Sequence, residues 1–295
     1  MRTTSSWRRG TAVFAVPGAL FLIVFAVYPL ILTVINSFRR VTVPGLISGH
    51  MSFIGFQNYR KIVADPQFWS SAWRTLLFTV VCVAFQFTLG LLAAVLLNRP
   101  FRGRGVLRGL LMVPWVLPIV VIGSTFKWMF QSGNGLVNTV LGYFGIHGPG
   151  WLEQPGLAFV TIIVANIWFG FPFAMQNLSA ALQTVPVQVL EAASVDGASA
   201  VKRFFQIVMP IISGPIAILL TVQIIYTFNV FELILVMTGG GPAGSTAVVT
   251  YYTYQLGFEY FDLGPASAAT ILILIALGAF SALYVWLTSR GEKAA

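Results

Sequence analysis

Apolar residues run along this chain in six long stretches, at residues 11–38, 72–97, 106–130, 157–182, 211–237 and 265–287, separated by more polar segments of unequal length. Each is long enough, at about 20 residues or more, to cross a bilayer as an α-helix. The first is interrupted only by Pro17 and Pro29 and follows a basic end with Arg2, Arg8 and Arg9. A signal peptide is the rival, but its apolar region spans only about 7–15 residues, so this stretch is expected to be a first transmembrane helix. The third is expected to bend at Pro114 and Pro118.

The polar segments differ in kind. Residues 39–71 contain IGFQNYRKIVADPQFW, where Phe53, Phe56, Tyr59, Phe68 and Trp69 suggest a short helix lying at the membrane interface. Residues 131–156 are Gly-rich, with Trp151 and Glu153 and neither Lys nor Arg. Residues 185–210 read VPVQVLEAASVDGASAVKRFFQIVMP, too polar to span. Pro186 can open a helix there, since its missing N–H would have no partner in any case. Gly197 then breaks it, and Asp196 or Ser199 can cap a second helix that runs to Pro210. Such a hairpin shows small residues (Ala192, Ala193, Ala198, Ala200) and bulky ones (Leu190, Phe204, Phe205), and is expected to be a docking knob.

Composition agrees with this pattern. The 295 residues are 57% hydrophobic and 8% charged, where a soluble domain carries roughly 25% charge. The net charge of +9 could point to nucleic acid, but its distribution points to membrane topology instead. With the N-terminus inside, eleven of the seventeen basic residues fall inside: Arg2, Arg8, Arg9, Arg99, Arg102, Arg104, Arg108, Lys202, Arg203, Arg290 and Lys293. Outside lie Arg39, Arg40, Arg60, Lys61, Arg74 and Lys127. Both ends are therefore expected in the cytoplasm, and the hairpin with them. Cys82 stands alone in an apolar run, and His50 and His147 fall in loops. We expect no disulfide, no metal site and no catalytic constellation. No phosphate-binding G-x-x-x-x-G-K run occurs, so any ATP and its Mg must be bound by another chain.

Two membrane stretches carry polar chemistry. The fourth includes Asn166, Trp168, Phe169, Gly170, Phe171, Pro172, Phe173, Gln176 and Asn177. Gly-Phe-Pro in mid-membrane is expected to interrupt helical hydrogen bonding, which is tolerated only against protein or a watery cavity. Aromatics suit the apolar face of a sugar ring and amides suit hydroxyls; the alternative is that these residues only pack helices together. In the fifth, Gln223, Thr227 and Val230 recur at i, i+4 and i+7 and share one face. Glu232 in the same stretch is a functional candidate by its cost in lipid, although its nearness to TGGG favours a role in ordering that loop. Lys127 and Trp128 are expected to be interfacial anchors.

The hairpin also carries a resemblance. Glu191, Ala192, Ala193, Gly197, Ile207 and Pro210 stand in the pattern of the "EAA" signature of permease subunits of ATP-binding-cassette (ABC) importers, with Met209 where Leu is more usual, and Asp196, Ala198 and Phe204 belong to the same coupling hairpin. IGFQNYRKIVADPQFW, VPWVLP and FNVFELILVMTGGGPAGST with YTYQLGFEYFDLGPASA are similar to the first of the two permeases in carbohydrate importers of the maltose type, over residues 18–286. The resemblance implies an all-α integral membrane protein of the type I ABC importer permease fold: six transmembrane helices, N-in/C-in, with a cytoplasmic coupling helix-turn-helix. It implies a bacterial or archaeal cytoplasmic membrane. The implied partners are a second homologous permease, two ATPase subunits inside that hold ATP and Mg, and an extracytoplasmic sugar-binding protein. The hairpin residues would dock the ATPase, with Glu191 and Gly197 transmitting its motion and Gly197 supplying a turn that a side chain would obstruct. Sugar would lie against Asn166, Trp168, Phe169, Gly170 and Phe173 and the face of Gln223, Thr227 and Val230. Val230 is apolar where a maltose-type site has an amide, and Glu232 replaces a usual Asp. A polyol or glycerol-phosphate solute, or an ion-coupled transporter working alone, are the alternatives.

Overall fold

The computed structural model of the chain describes residues 16–294. The expected N-terminal tail, with Arg2, Arg8 and Arg9, and the first residues of the first stretch lie outside that range. The helices follow the apolar stretches. In chain order they are α1 (Val16–Ser37), α2 (Val43–Ser48), α3 (Gln57–Ala64), α4 (Pro66–Asn98), α5 (Arg104–Val116), α6 (Ile119–Met129), α7 (Leu136–Tyr143) and α8 (Pro155–Leu182). They continue as α9 (Val187–Val195), α10 (Ala200–Arg203), α11 (Met209–Ile211), α12 (Ser213–Phe228), α13 (Glu232–Met237), α14 (Val249–Tyr254) and α15 (Leu263–Ala294). Among the described residues five spans are long and apolar enough to cross a membrane, and the pair α5 and α6 makes a sixth if its two arms count as one.

That pair turns by 96°. The break is at Leu117 and Pro118, both extended (ψ 142° and 135°), because the residue before a proline avoids the helical region. Pro114, expected to bend the same stretch, lies buried inside α5 without breaking it. The Gly-Phe-Pro expectation is corrected likewise: α8 is helical through Pro172. A proline removes a single N–H from the ladder, and Gly170 and Pro172 are both buried, with the Gln86 amide close against Gly170. The fifth stretch is also interrupted, at residues 229–231 between α12 and α13. There the Asn229 Nδ2 donates to the Ile225 carbonyl (2.8 Å), in competition with the helical ladder. The Thr250 hydroxyl donates to the freed Val230 carbonyl (2.9 Å).

The described residues divide into two compact units, 16–69 with 252–276, and 70–251 with 277–294. In the first, strands β1 (Arg39–Arg40) and β2 (Ser52–Phe53) pair antiparallel. Buried Asn58 donates to the carbonyls of Ser37 (2.8 Å) and Arg39 (2.9 Å), which satisfies the end of α1. The short helix expected there is α3, and a second one, α2, precedes it. Phe53, Phe56 and Trp69 are exposed as aromatics at an interface would be, whereas Phe68 is buried against Tyr252. Lys61 is ion-paired with Asp262, and the Tyr252 hydroxyl donates to Asp65 (2.6 Å). Burial first, then Asp65, pushes the Tyr252 phenol well above its usual value.

In the second unit α4 and α8 meet backbone to backbone: a Cβ at Gly90 would lie 2.6 Å from that of Ala174. Around this contact Ala94, Leu178, Leu182, Val208, Ile212 and Leu219 form an apolar cluster, with Leu190 and Phe204 of the hairpin packed against it. The hairpin is thus fastened to the membrane helices by its own bulky residues.

Candidate functional site

The hairpin residues sit as their local chemistry demands. Pro186 is extended and precedes α9. Gly197 has φ +76°, and the Ala198 N–H donates back to the Ala193 carbonyl (3.0 Å), closing a left-handed C-terminal turn. Of the two candidate caps Ser199 is the one used, its Oγ accepting from the Lys202 N–H (3.3 Å). Beyond α10 the backbone widens into a π-turn at Phe204–Val208, and the Met209 N–H reaches back to the Phe204 carbonyl. Pro210 has no N–H to offer the ladder, which favours that wider register. Glu191, Ala192, Asp196, Gly197 and Pro210 are exposed, while Ala193, Ala198, Phe204 and Ile207 are half-buried. A groove between the hairpin's arms is lined by Leu190, Glu191, Ser194, Ala200, Arg203, Phe204 and Val208. Val187, Val195, Val201 and Phe205 expose large apolar surface around it. The sequence reading of Gly197 needs one correction: a Cβ there would meet nothing within 4 Å, so the constraint inside this chain is the positive φ, not crowding.

The second site is a narrow cleft lined by Gln86, Trp115, Asn166, Phe169, Gly170, Phe173, Gln223, Tyr226, Thr227 and Val230. Seven of the eight expected residues meet there. Asn166, Phe169, Gly170 and Phe173 are one stripe of α8 at i, i+3, i+4 and i+7, facing Gln223, Thr227 and Val230 across the cleft. Trp168 is the exception: two positions on from Asn166, it points elsewhere and packs on Phe126 (centroids 5.6 Å). Three lining residues were missed. Trp115 stacks on Phe169 (5.4 Å) and Phe173 (4.8 Å), and Tyr226 meets Phe173 edge-on. Gln86, buried, bonds Asn166 and Gln223. A lone amide in the apolar run VCVAFQFTL was its signal in the sequence.

The cleft holds an aromatic wall, three amides and the hydroxyls of Tyr226 and Thr227, and none of its lining residues is charged. It can stack a flat apolar face and exchange hydrogen bonds with neutral polar groups. Gly170 serves both alternatives left open for α8, since it lines the cleft and also gives Gln86 the space a Cβ would occupy. Glu232 is placed differently from the sequence expectation. The loop after α13 is held by Thr238 with Thr246, and by Thr246 with the Gly241 carbonyl, both 2.8 Å. Glu232 takes no part in these bonds; it is exposed in the first turn of α13, where an acid suits the helix dipole. Lys127 and Trp128 are exposed at the end of α6, as interfacial anchors would be.

Residues 86–292 match the family of binding-protein-dependent transport system inner membrane components. The chain belongs to this family. Membership makes it one membrane component of a transport system, not an ion-coupled transporter working alone. The permease protein SmoG of the sulfoquinovosyl glycerol transport system of Agrobacterium fabrum is 36% identical over 270 residues, 91% of this chain and 87% of that protein. MalF of the trehalose/maltose transport system of Thermococcus litoralis is 35% identical over 236 residues, 79% of each. In fold, the chain is similar to the crystal structure of a bacterial ABC transporter involved in import of the acidic polysaccharide alginate. The TM-score is 0.85 at 22% identity, over 98% of this chain and 99% of that one. The membrane component thus has the helical permease fold of an ABC importer.

Proposed function

We propose that this chain is a permease subunit of an ATP-driven importer of sugars, di- or oligosaccharides, and forms half of the translocation path. The observation that carries the reading is the cleft, whose aromatic wall faces amides with no charge between them. The apolar face of a pyranose stacks on such a wall, and its hydroxyls pair with such amides. Relatives named for sulfoquinovosyl glycerol and trehalose/maltose transport support the same class. The first of those names favours a second reading, a glycoside carrying a glycerol unit. An anionic headgroup would call for Arg or Lys in the path, and in this half the cleft lining has none.

In this reading a second homologous permease completes the path, two cytoplasmic ATPases bind ATP and Mg and dock the hairpin, and an extracytoplasmic binding protein delivers solute. Both chain ends and the hairpin face the cytoplasm. Closure of the ATPases displaces the hairpin, and Leu190 and Phe204 press the motion onto the cluster that contains Ala174 and Leu178. Those residues belong to α8, the helix that carries Asn166 to Phe173 into the cleft. One rigid element therefore connects the docked surface to the solute, and the cleft opens alternately to either side. No covalent chemistry is assigned to this chain.

The test begins with the chain purified in mild detergent from its native membrane. We expect a second six-helix permease and a phosphate-loop ATPase to come with it. Vesicles holding the assembly, with ATP inside and the binding protein outside, are expected to accumulate a sugar. A chain that purifies alone and moves solute without ATP overturns the importer assignment, and accumulation of non-sugar solutes alone overturns the solute class.

A further inference from the structure

Three buried amides form a relay at the wall of the cleft. The Gln86 Nε2 donates to the Asn166 backbone carbonyl and to the Asn166 Oδ1, both at 2.9 Å. The Gln223 Nε2 donates to the Gln86 Oε1 at 2.8 Å. Gln86, Asn166 and Gln223 are 2%, 1% and 3% exposed. The two ends of an amide are ordinarily hard to tell apart, but here the main chain decides. A backbone carbonyl only accepts, so Gln86 must turn its NH2 toward Asn166 and its oxygen toward Gln223. Gln223 must then spend its NH2 on Gln86 and turn its own oxygen away. That oxygen, Oε1, is buried with no hydrogen-bond partner in a residue that lines the cleft. An orphan acceptor in such a place calls for a donor.

We propose that Gln86 is a positioning residue that fixes the Gln223 Oε1 as an acceptor for the solute, so that the cleft selects a hydroxyl donor at that point. The proposal rests on the cleft being the solute site. Gly170 belongs to the device, because a Cβ there would fall on the Gln86 amide and displace it. With Gln86 removed, the Gln223 amide is free to turn either end to the solute. Discrimination between a donor and an acceptor-only group is then lost, while binding of either survives. A bond that merely ties α4 to α8 and α12 would change stability and leave discrimination alone.

Two measurements decide it. The first uses the full chain in lipid nanodiscs with 15N-labelled glutamine and reads hydrogen exchange of the side-chain NH2 groups. The Gln223 NH2 is expected to exchange slowly in the parent chain and fast in Gln86→Leu. It should stay slow in Asn166→Ala, which keeps the main-chain acceptor. Unchanged protection in Gln86→Leu overturns the relay. The second uses the complete importer in proteoliposomes, with maltose, trehalose and their monodeoxyfluoro derivatives as test solutes; fluorine cannot donate. One position is expected where fluorine raises KM about tenfold, the worth of one hydrogen bond, with little change in maximal rate. In Gln86→Leu that penalty should shrink to about twofold, and the binding protein's own preference cancels in the comparison. An equal penalty in both overturns the proposed selectivity. If the parent importer carries neither sugar, the fluorine scan is made on the sugar that the vesicles do accumulate, and the exchange measurement decides the relay in either case.

Discussion

Gly197 is the position where a single atom separates backbone conformation from surface contact. Its φ is +76°, the turn is closed by the Ala198-to-Ala193 bond, and an added Cβ would find open space. An alanine there meets no neighbour but must hold the left-handed region, at about 1–2 kcal/mol. If the ATPase binds the hairpin only in this conformation, that cost enters the docking equilibrium in full, a factor of about 5–30. Asparagine tolerates the same region far better, so Gly197→Asn is expected to dock and transport nearly as the parent chain does. Gly197→Asp has the shape of Asn with a charge added. It should insert normally yet lose transport and weaken docking, through the charge on the docked surface. ATPase titration onto the purified permease, with ATP-driven uptake in vesicles, reads all three. If Asn loses as much as Ala, contact with the partner at this Cα, and not the turn, is the constraint; normal uptake by the Asp variant would remove Gly197 from coupling altogether.

The other predictions concern the core and the cleft. Trp115→Ala removes the ring stacked on Phe169 and Phe173 and is expected to raise KM for sugar about tenfold, since an aromatic pair is worth about 0.5–1.5 kcal/mol beyond its area. An unchanged KM would mean that the wall does not meet the solute. Gly90→Ala forces α4 from α8 at the 2.6 Å contact with Ala174 and should cost about 1–3 kcal/mol, seen as a lower Tm in detergent. The Tyr252 phenol is raised by burial and by Asp65 above its unfolded value of 10.0. Its neutral form is therefore favoured in the fold, and its contribution is complete below pH 10 and lost as pH rises beyond it. Stability against pH should accordingly fall less steeply above pH 10 in Tyr252→Phe than in the parent chain; equal slopes would count against the buried pair.

Much of this protein was decided by local chemistry and could be read along the chain. The membrane helices follow from apolar length alone, because a backbone in lipid must satisfy its own hydrogen bonds. The hairpin follows from Pro186, Gly197 and Ser199, each of which acts on its own backbone or on a neighbour within a turn. The periodicity of Gln223, Thr227 and Val230 placed them on one face, and the same periodicity separates Trp168 from Asn166, Phe169 and Phe173. What only the tertiary structure decided are contacts between residues far apart in sequence. Gln86 becomes part of the site because α8 presents the Asn166 carbonyl at 2.9 Å, and Trp115 because it stacks on Phe173. Prolines divided the same way. Pro118 breaks its helix through its own geometry and that of Leu117, whereas Pro172, buried within α8, leaves its helix continuous. The direction in which the Gln223 amide points is the extreme case. It depends on a backbone carbonyl two bonds away through Gln86, and only the folded chain brings the three together.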